Sequence, residues 1–346
     1  MIFNACPAAI LDHKTIVLGH GSGGRLTHQL VQKMILPMFQ NPALETQHDG
    51  AILSLNGSRI AFSTDSYIVH PIFFPGGNIG DLAVNGTVND LSMCGAKPQY
   101  LSASFIIEEG MAMEDFWRIL NSMKQAAENA GVSFVTGDTK VIDRGKGDKI
   151  FINTAGIGIV PASINIDPAR AQPGDRIIVS GPIATHGMAI MSVREGLEFE
   201  TPIESDCAAL NGLVETMLAA SNDIHVLRDP TRGGVASALN EIAEKSRVGI
   251  RIDESLVPVR GDVKGACEIL GLDPLYVANE GKLLAFVPPN QADQVLRSMR
   301  NNIHGQDAVI IGEVVRDHPG IVVMTTQIGG NRIVDMLSGE QLPRIC

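Results

Sequence analysis

The sequence predicts two domains that each mix helices with strands, an architecture between α+β and α/β, followed by a short tail. Three observations lead there. Helical patterns alternate in both halves with short apolar strands that stop at Gly/Asp-rich turns. Residues 161–174 carry three prolines and little periodicity, as a junction would. The 346 residues are enough for two separate cores. The expected division is 1–162, 163–336 and a tail at 337–346.

Taken in order, Ile16-Val17-Leu18 predicts a strand leading into His20-Gly21-Ser22-Gly23-Gly24-Arg25. A helix over about 26–38 follows, closed by Pro37 and the Asn41-Pro42 turn. Ile60 to Ser63 predicts a strand that stops at Thr64-Asp65. Pro75-Gly76-Gly77-Asn78 introduces a helix to Cys94, ended by Gly95. A strand over 100–107 precedes an amphipathic helix over 114–129 with acidic residues in its first turn. Val132 to Thr136 predicts a buried strand that stops at Gly137-Asp138-Thr139-Lys140, and 149–160 predicts another strand. Beyond the junction, helices fit near 187–194, 206–220, 233–246, 260–270 and 290–301. Strands there fit near 176–180, 224–228, 249–252, 283–287, 308–314, 321–325 and 332–335.

Composition removes several classes of function. The formal net charge is -11 with no Lys/Arg run, unlike the basic face of a nucleic-acid binder. Aromatic content of 4% leaves little for base stacking. No run reaches the roughly 18 apolar residues of a membrane span. The N-terminus lacks a basic leader and is broken by Pro7 and Asp12-His13-Lys14, so no signal peptide is expected. Cys6, Cys94, Cys207, Cys267 and Cys346 are odd in number and form no C-x-x-C pair, which fits a reducing cytoplasm. Cys94, Cys207 and Cys267 fall in helical patterns and are expected as small core residues.

Five features can carry chemistry. The glycines of Gly21-Ser22-Gly23-Gly24, directly before a helix, suit a phosphate loop, although a plain turn explains them equally and no G-K-[ST] ending follows. Asp65, Asp81, Asp90 and Asp138 stand at strand ends or on the following helix. Asp81, Asn85 and Asn89 are spaced by four and share a helical face. Each Asp alone reads as a cap or a solvated loop residue; together they suit Mg²⁺ with a nucleotide. Arg228-Asp229-Pro230-Thr231-Arg232-Gly233-Gly234 offers a hydroxyl, guanidinium groups and paired glycines for phosphate, or a turn with an N-cap. Glu280, between Asn279 and Gly281-Lys282 and before an apolar strand, is a candidate general base. The sequence ends Leu342-Pro343-Arg344-Ile345-Cys346, where Pro343 predicts an extended, mobile segment with an exposed thiol.

In this order, His20-Gly-Ser-Gly-Gly, Ser63-Thr-Asp-Ser66, Gly80-Asp-Leu-Ala-Val-Asn-Gly-Thr-Val-Asn-Asp90, Thr136-Gly-Asp-Thr-Lys140, Arg228-Asp-Pro-Thr-Arg-Gly-Gly234, Ala278-Asn-Glu-Gly-Lys282 and Pro343-Arg-Ile-Cys346 resemble the HypE family. These are the carbamoyl dehydratases of [NiFe]-hydrogenase maturation, within the aminoimidazole ribonucleotide synthetase (PurM-type) superfamily. The likeness runs from about Thr15 to Cys346; the internal motifs belong to the superfamily and the ending is the more specific part.

The resemblance implies a PurM-like N-terminal domain that binds ATP and Mg²⁺ and dimerises through its mixed sheet, with a C-terminal α/β domain completing the cleft. It implies that a HypF-type carbamoyltransferase loads Cys346. ATP-dependent dehydration then turns the thiocarboxamide into a thiocyanate, and a HypC–HypD complex receives the cyano group for iron. By the same likeness Asp65, Asp81, Asp90 and Asp138 would hold the metal. Gly21, Ser22, Gly23, Gly24, Asn85, Thr139, Thr231 and Gly233 would hold the nucleotide. Lys140 would stabilise the transferring phosphoryl group and Glu280 would act as base. In the family an acidic residue often precedes the histidine of the S-G-x-x-x-x-H-G segment. Here it is Thr185, so His186 receives no role, and the first dozen residues with Cys6 fall outside the likeness. The alternatives are an ATP-using enzyme of the selenophosphate synthetase or thiamine-monophosphate kinase kind, acting on a free substrate, or a non-catalytic carrier of the tail.

Overall fold

The computed structural model describes residues 13, 15–39, 41–197, 202–339 and 345–346. The expectations for Cys6, Leu342, Pro343 and Arg344 lie outside the described residues.

Helices α1 (Arg25–Leu30) and α2 (Leu36–Phe39) are joined by a π-helical stretch, Val31–Ile35, and α3 (Pro42–Glu45) follows. Strands β1 (Ala51–Leu55) and β2 (Ser58–Tyr67) form a hairpin closed by Asn56 and Gly57, both at positive φ, the backbone that an Asn-Gly pair favours. The short β3 (Phe73–Phe74) and β4 (Gly77–Asn78) lead into α4 (Ile79–Met93). Asn78 accepts from the Gly80 N–H at 2.8 Å, and Asp81 accepts from the Asn78 N–H at 2.9 Å, a reciprocal cap that fixes the start of α4. Next come β5 (Lys97–Glu108), α5 (Met113–Ala130), β6 (Ser133–Ile142) and β7 (Ile150–Val160). Gly131, at φ +68°, ends α5 in the left-handed region.

The first sheet has the order β1-β2-β7-β5-β6, antiparallel except for β5 with β6. Helix α4 lies along its inner face and is buried nearly all round, so its sequence shows no polar stripe that faces water. The outer face is uncovered in the single chain. Phe62, Ile157 and Tyr100 are directly paired across β2, β7 and β5, and all three are exposed. Further along the same face Ser66, Asn153, Ser104 and Asp138 form a polar row.

The second half contains β8 (Arg176–Val179), α6 (Thr185–Arg194), α7 (Asn211–Ala220), β9 (Val226–Arg228), α8 (Gly234–Ser246), β10 (Gly249–Asp253), α9 (Gly261–Leu270), β11 (Leu284–Val287), α10 (Pro289–Arg300), β12 (Val309–Val315), β13 (Val322–Thr325) and β14 (Asn331–Val334). Its seven strands run in the order β14-β13-β10-β12-β8-β11-β9. Both faces are covered: Ile177 and Val179 pack into one apolar cluster with α8 and α9, and Ile178 into another with α7 and α10. That second cluster also takes in Ala61, Leu91, Met93 and Cys94, so the halves share a continuous apolar contact.

Four expectations change. Ile16-Val17-Leu18 is not a strand: Ile16 is exposed, Leu18 opens a 3₁₀ turn, and no described strand pairs with the run. Asp65 lies inside β2, because β7 continues the ladder through Tyr67. β6 is an exposed edge strand that runs on to Ile142 and holds Asp138, Thr139 and Lys140 within it. Cys207 precedes α7 and sits in a loop, held by contacts across the molecule.

Candidate active site

The last two residues are docked between the halves, not exposed. Ile345 is buried among Tyr67, Val69, Ile72, Phe74 and Ile79, a burial worth roughly 1.5–3 kcal/mol. His186 Nε2 donates to the Ile345 carbonyl at 3.1 Å, and the Ile68 N–H donates to the Cys346 carbonyl at 3.2 Å. The mobile tail with an exposed thiol is therefore corrected for these two residues: apolar burial and two backbone anchors hold them.

The Cys346 thiol lies against the Glu280 carboxyl, near the Arg232 guanidinium. Burial first, then Glu280, pushes the thiol well above its usual range, with Arg232 acting the other way. Glu280 is itself buried and pushed well up, by burial and then by Asp229 and Asp65. Its Oε1 has no hydrogen-bond partner among the described residues. Arg232 also donates to the Gly21 carbonyl at 3.1 Å, which ties the first loop to this site.

Behind this pair stands a cluster of carboxylates. β2 and α4 supply Asp65 and Asp90, and the Ser63 hydroxyl donates to Asp90 Oδ2 at 2.7 Å. Asp229 follows β9, and Asp49 precedes β1. One oxygen each from Asp49, Asp90 and Asp229 lies within 4.8 Å of the others. Burial and then the like charge of Asp229 push Asp90 well up, and burial takes Asp229 to about 6. Arg228 pairs with Asp49 and, at 2.8 Å, with Glu241. Asp49 Oδ2 is buried without a hydrogen-bond partner among the described residues. Adjacent His48 is no cation, since burial lowers it to about 3. Converging carboxylates, one with an unsatisfied oxygen, make a donor set that suits a hard divalent cation.

Of the expected metal ligands, Asp65 and Asp90 come together here. Asp81 does not join them, because its carboxylate caps α4. Nor does Asp138. Asp65 shares the inner face of the sheet with Ser63 and Tyr67, whereas Asp138 lies three strands away, roughly 14 Å at one strand spacing each, on the outer face. Asp138 and Lys140 form an exposed pair at 2.7 Å, and Thr139 is on the same edge strand. Within one chain these three residues do not reach the Asp90 cluster. Asp49 and Asp229 were not among the expected ligands.

Asn85 and Asn89 do a different job from the one their spacing suggests. Asn85 Nδ2 lies 3.4 Å from Cys207 Sγ. Asn89 donates to the Ala208 carbonyl and accepts from the Leu210 N–H. The stripe on α4 thus grips loop 205–210 of the other half.

The glycine loop is packed rather than open. A Cβ on Gly23, at φ +75°, would meet Arg232 Cβ at 2.6 Å, and one on Gly24 would strike the Leu337 carbonyl. The Gly23 N–H already bonds Thr27 Oγ1 at 3.0 Å, and the Ser22 hydroxyl donates to the Gly19 and Gly339 carbonyls. Gly233, at φ +77°, lies against Ser237, and the Thr231 carbonyl accepts from the Gly234 N–H at 2.9 Å. These residues hold Arg232 in place beside Cys346.

Two family models match the chain: AIR synthase related protein, N-terminal domain, over residues 47–160, and AIR synthase related protein, C-terminal domain, over residues 172–324. A carbamoyl dehydratase HypE of Rhizobium leguminosarum bv. viciae is 55% identical over 332 residues, 96% of this chain and 95% of that protein. A solved HypE–HypF complex contains a chain 49% identical, with a TM-score of 0.85 over 89% of this chain and 99% of that one. A solved HypE in complex with ATP is 51% identical, with a TM-score of 0.81 over 96% of this chain and 100% of that one.

Proposed function

The chain belongs to the HypE family of carbamoyl dehydratases, ATP-dependent enzymes of hydrogenase maturation, and we propose that its reacting centre is the buried contact of Cys346 with Glu280 and Arg232. The substrate is a carbamoyl group carried on Cys346 as a thiocarboxamide. An amide oxygen is a poor leaving group, so the γ-phosphoryl of ATP is transferred to it, releasing ADP. Loss of phosphate and of both nitrogen hydrogens then leaves the thiocyanate. One carboxylate, Glu280, is held where the tail brings the nitrogen, and burial raises its affinity for protons, as a base requires. Arg232 faces the sulfur and the forming phosphate ester as a fixed cation in a site closed to bulk water. A likeness to an ATP-bound relative supports the nucleotide site.

Mg²⁺ fits Asp49, Asp90 and Asp229, with Asp65 beside them, and when bound it would neutralise phosphate charge. A HypF-type carbamoyltransferase loads the thiol, in keeping with the HypE–HypF complex, and a HypC–HypD complex in the cytoplasm takes the cyano group. The uncovered row Phe62, Ile157 and Tyr100 supports a homodimer formed through the outer face of the first sheet. The domains in this reading are 1–162 and 163–336, with the tail from 337. No helix among the described residues is long and apolar enough to cross a membrane.

The observation that carries this reading is the Cys346 thiol docked beside the buried Glu280 carboxyl. Mass spectrometry of the C-terminal peptide tests it: the carbamoyl adduct on Cys346 loses one water only when ATP is added. An adduct that never loses water would make the chain a carrier. Turnover of a free small molecule by Cys346→Ala would make it an enzyme of the free-substrate kind.

A further inference from the structure

We infer that His186, backed by Ser205, is the latch that docks the tail and sets Cys346 against Glu280, a positioning residue for the dehydration. The inference rests on Cys346 being the carrier. His186 is the second residue of α6 and fully buried, with the Phe74 ring edge-on at 5.7 Å. Each ring nitrogen has one partner. The Ile345 carbonyl can only accept, so Nε2 carries the hydrogen and Nδ1 is bare. The Ser205 hydroxyl, 2.8 Å away, therefore donates to Nδ1, and Ser205 Oγ in turn accepts from the Cys207 N–H at 3.2 Å. This chain of donors fixes one tautomer and leaves Nε2–H for the tail. Burial lowers the ring to about 4, in keeping with a neutral donor.

The placement gives the latch its purpose. His186 holds the carbonyl before Cys346, and the Ile68 N–H holds the carbonyl of Cys346 itself. Two anchors on successive main-chain oxygens fix the backbone of Cys346 where its side chain reaches Glu280 and Arg232. Ser205 is anchored in turn by its N–H to the Pro75 carbonyl at 2.8 Å, a bond between the two halves. The tail is thus latched only when loop 205–210 is seated against the first half.

Two measurements on the full chain test this. One is the rate at which iodoacetamide alkylates Cys346 without ATP, read on the C-terminal peptide. The other is the single-turnover loss of water from the carbamoyl-loaded chain after ATP is added. His186→Phe keeps the ring and removes the donor; it should speed alkylation and slow dehydration, each by about tenfold, the worth of one buried hydrogen bond. His186→Gln, whose amide N–H can take the place of Nε2–H, should stay within about threefold of the native chain in both. The latch is overturned if His186→Phe leaves both rates within about twofold of native, or if His186→Gln falls as far as His186→Phe, which would make the ring mere packing. Should His186→Phe fail to fold, Ser205→Ala decides: both rates shift in the same directions, or the latch is absent. A native chain that never loses water with ATP would sink the functional reading alone, since the alkylation rates still report the latch.

Discussion

The Cys346 thiol docks beside the Glu280 carboxyl, and neither group has a position in the sequence that announces the other. A buried carboxylate with one oxygen unsatisfied is an unstable arrangement that folding alone would not select. Glu280→Gln should keep the fold and lower the rate of dehydration by roughly 10²–10⁴-fold, the usual contribution of a general base. The carbamoyl adduct should still appear on Cys346. Water loss per turnover, followed by mass on the loaded chain, is the measurement; a native rate would end the base assignment.

The carboxylate cluster gives stability a sign against pH. Asp229 rises from its ordinary 3.8 to about 6, so between those values the folded chain binds more protons than the unfolded one. Stability from this group is therefore lost as pH climbs through that window, by roughly 3 kcal/mol at most at about 1.4 kcal/mol per unit. His48 and His186, lowered to about 3 and about 4, act oppositely below their ordinary 6.5. The comparison of Asp229→Asn with the native chain cancels the histidines. The Tm of Asp229→Asn minus that of the native chain should rise from pH 4 to about 6 and then level off. At pH 7.5, Mg²⁺ should raise the native Tm and leave that of Asp229→Asn nearly unchanged. A Tm difference that stays flat across the window would remove the cluster as its source.

Much of this was legible in the sequence. Helices α4, α5 and α8 and nearly every strand of the second half announce themselves by apolar period and by their caps, because local rules decide them. Asp65, Asp90 and Glu280 stand out as acidic residues beside apolar runs, although Asp65 proves to lie inside β2 and Asp90 within α4. Asp49 and Asp229 were harder. Asp229 was in view as part of a phosphate loop, and only the fold of β9 beside α4 turns it toward Asp90. Asp49 sits before a hairpin whose Asn56-Gly57 turn signal marks β1, and recognising that hairpin would have brought Asp49 into view. The face of the sheet on which Asp138 lies depends on a register shift between β5 and β6, which no local pattern reveals.

The glycine loop separates packing from phosphate binding. Gly21 has open space around it and no positive φ, whereas Gly23 does not tolerate a side chain. Gly23→Ala should cost about 1–3 kcal/mol from backbone strain and displace Arg232, lowering both Tm and dehydration. Gly21→Ala should leave Tm within a degree or two and leave the KM for ATP unchanged. A KM raised tenfold by Gly21→Ala would restore the loop as a phosphate cradle.

Lys140 and Asp138 act in this enzyme only if a second copy brings them to the site. They lie at the polar end of the outer sheet face, opposite the face that carries Asp65. Two copies packed on the apolar end, around Phe62, Ile157 and Tyr100, would bring each polar end against the partner copy. Mixing two inactive variants tests this. In a dimer of Glu280→Gln with Lys140→Ala, a site fed across the interface combines the intact Glu280 of one copy with the intact Lys140 of the other. Refolding the two together should therefore recover activity, up to one working site per mixed dimer. Sites built within a single chain would each lack one residue, and the mixture would stay as inactive as its parts. Ile157→Asp should split the dimer, read by sedimentation, and abolish the recovery with it, because a charge at the centre of an apolar interface stays unpaired.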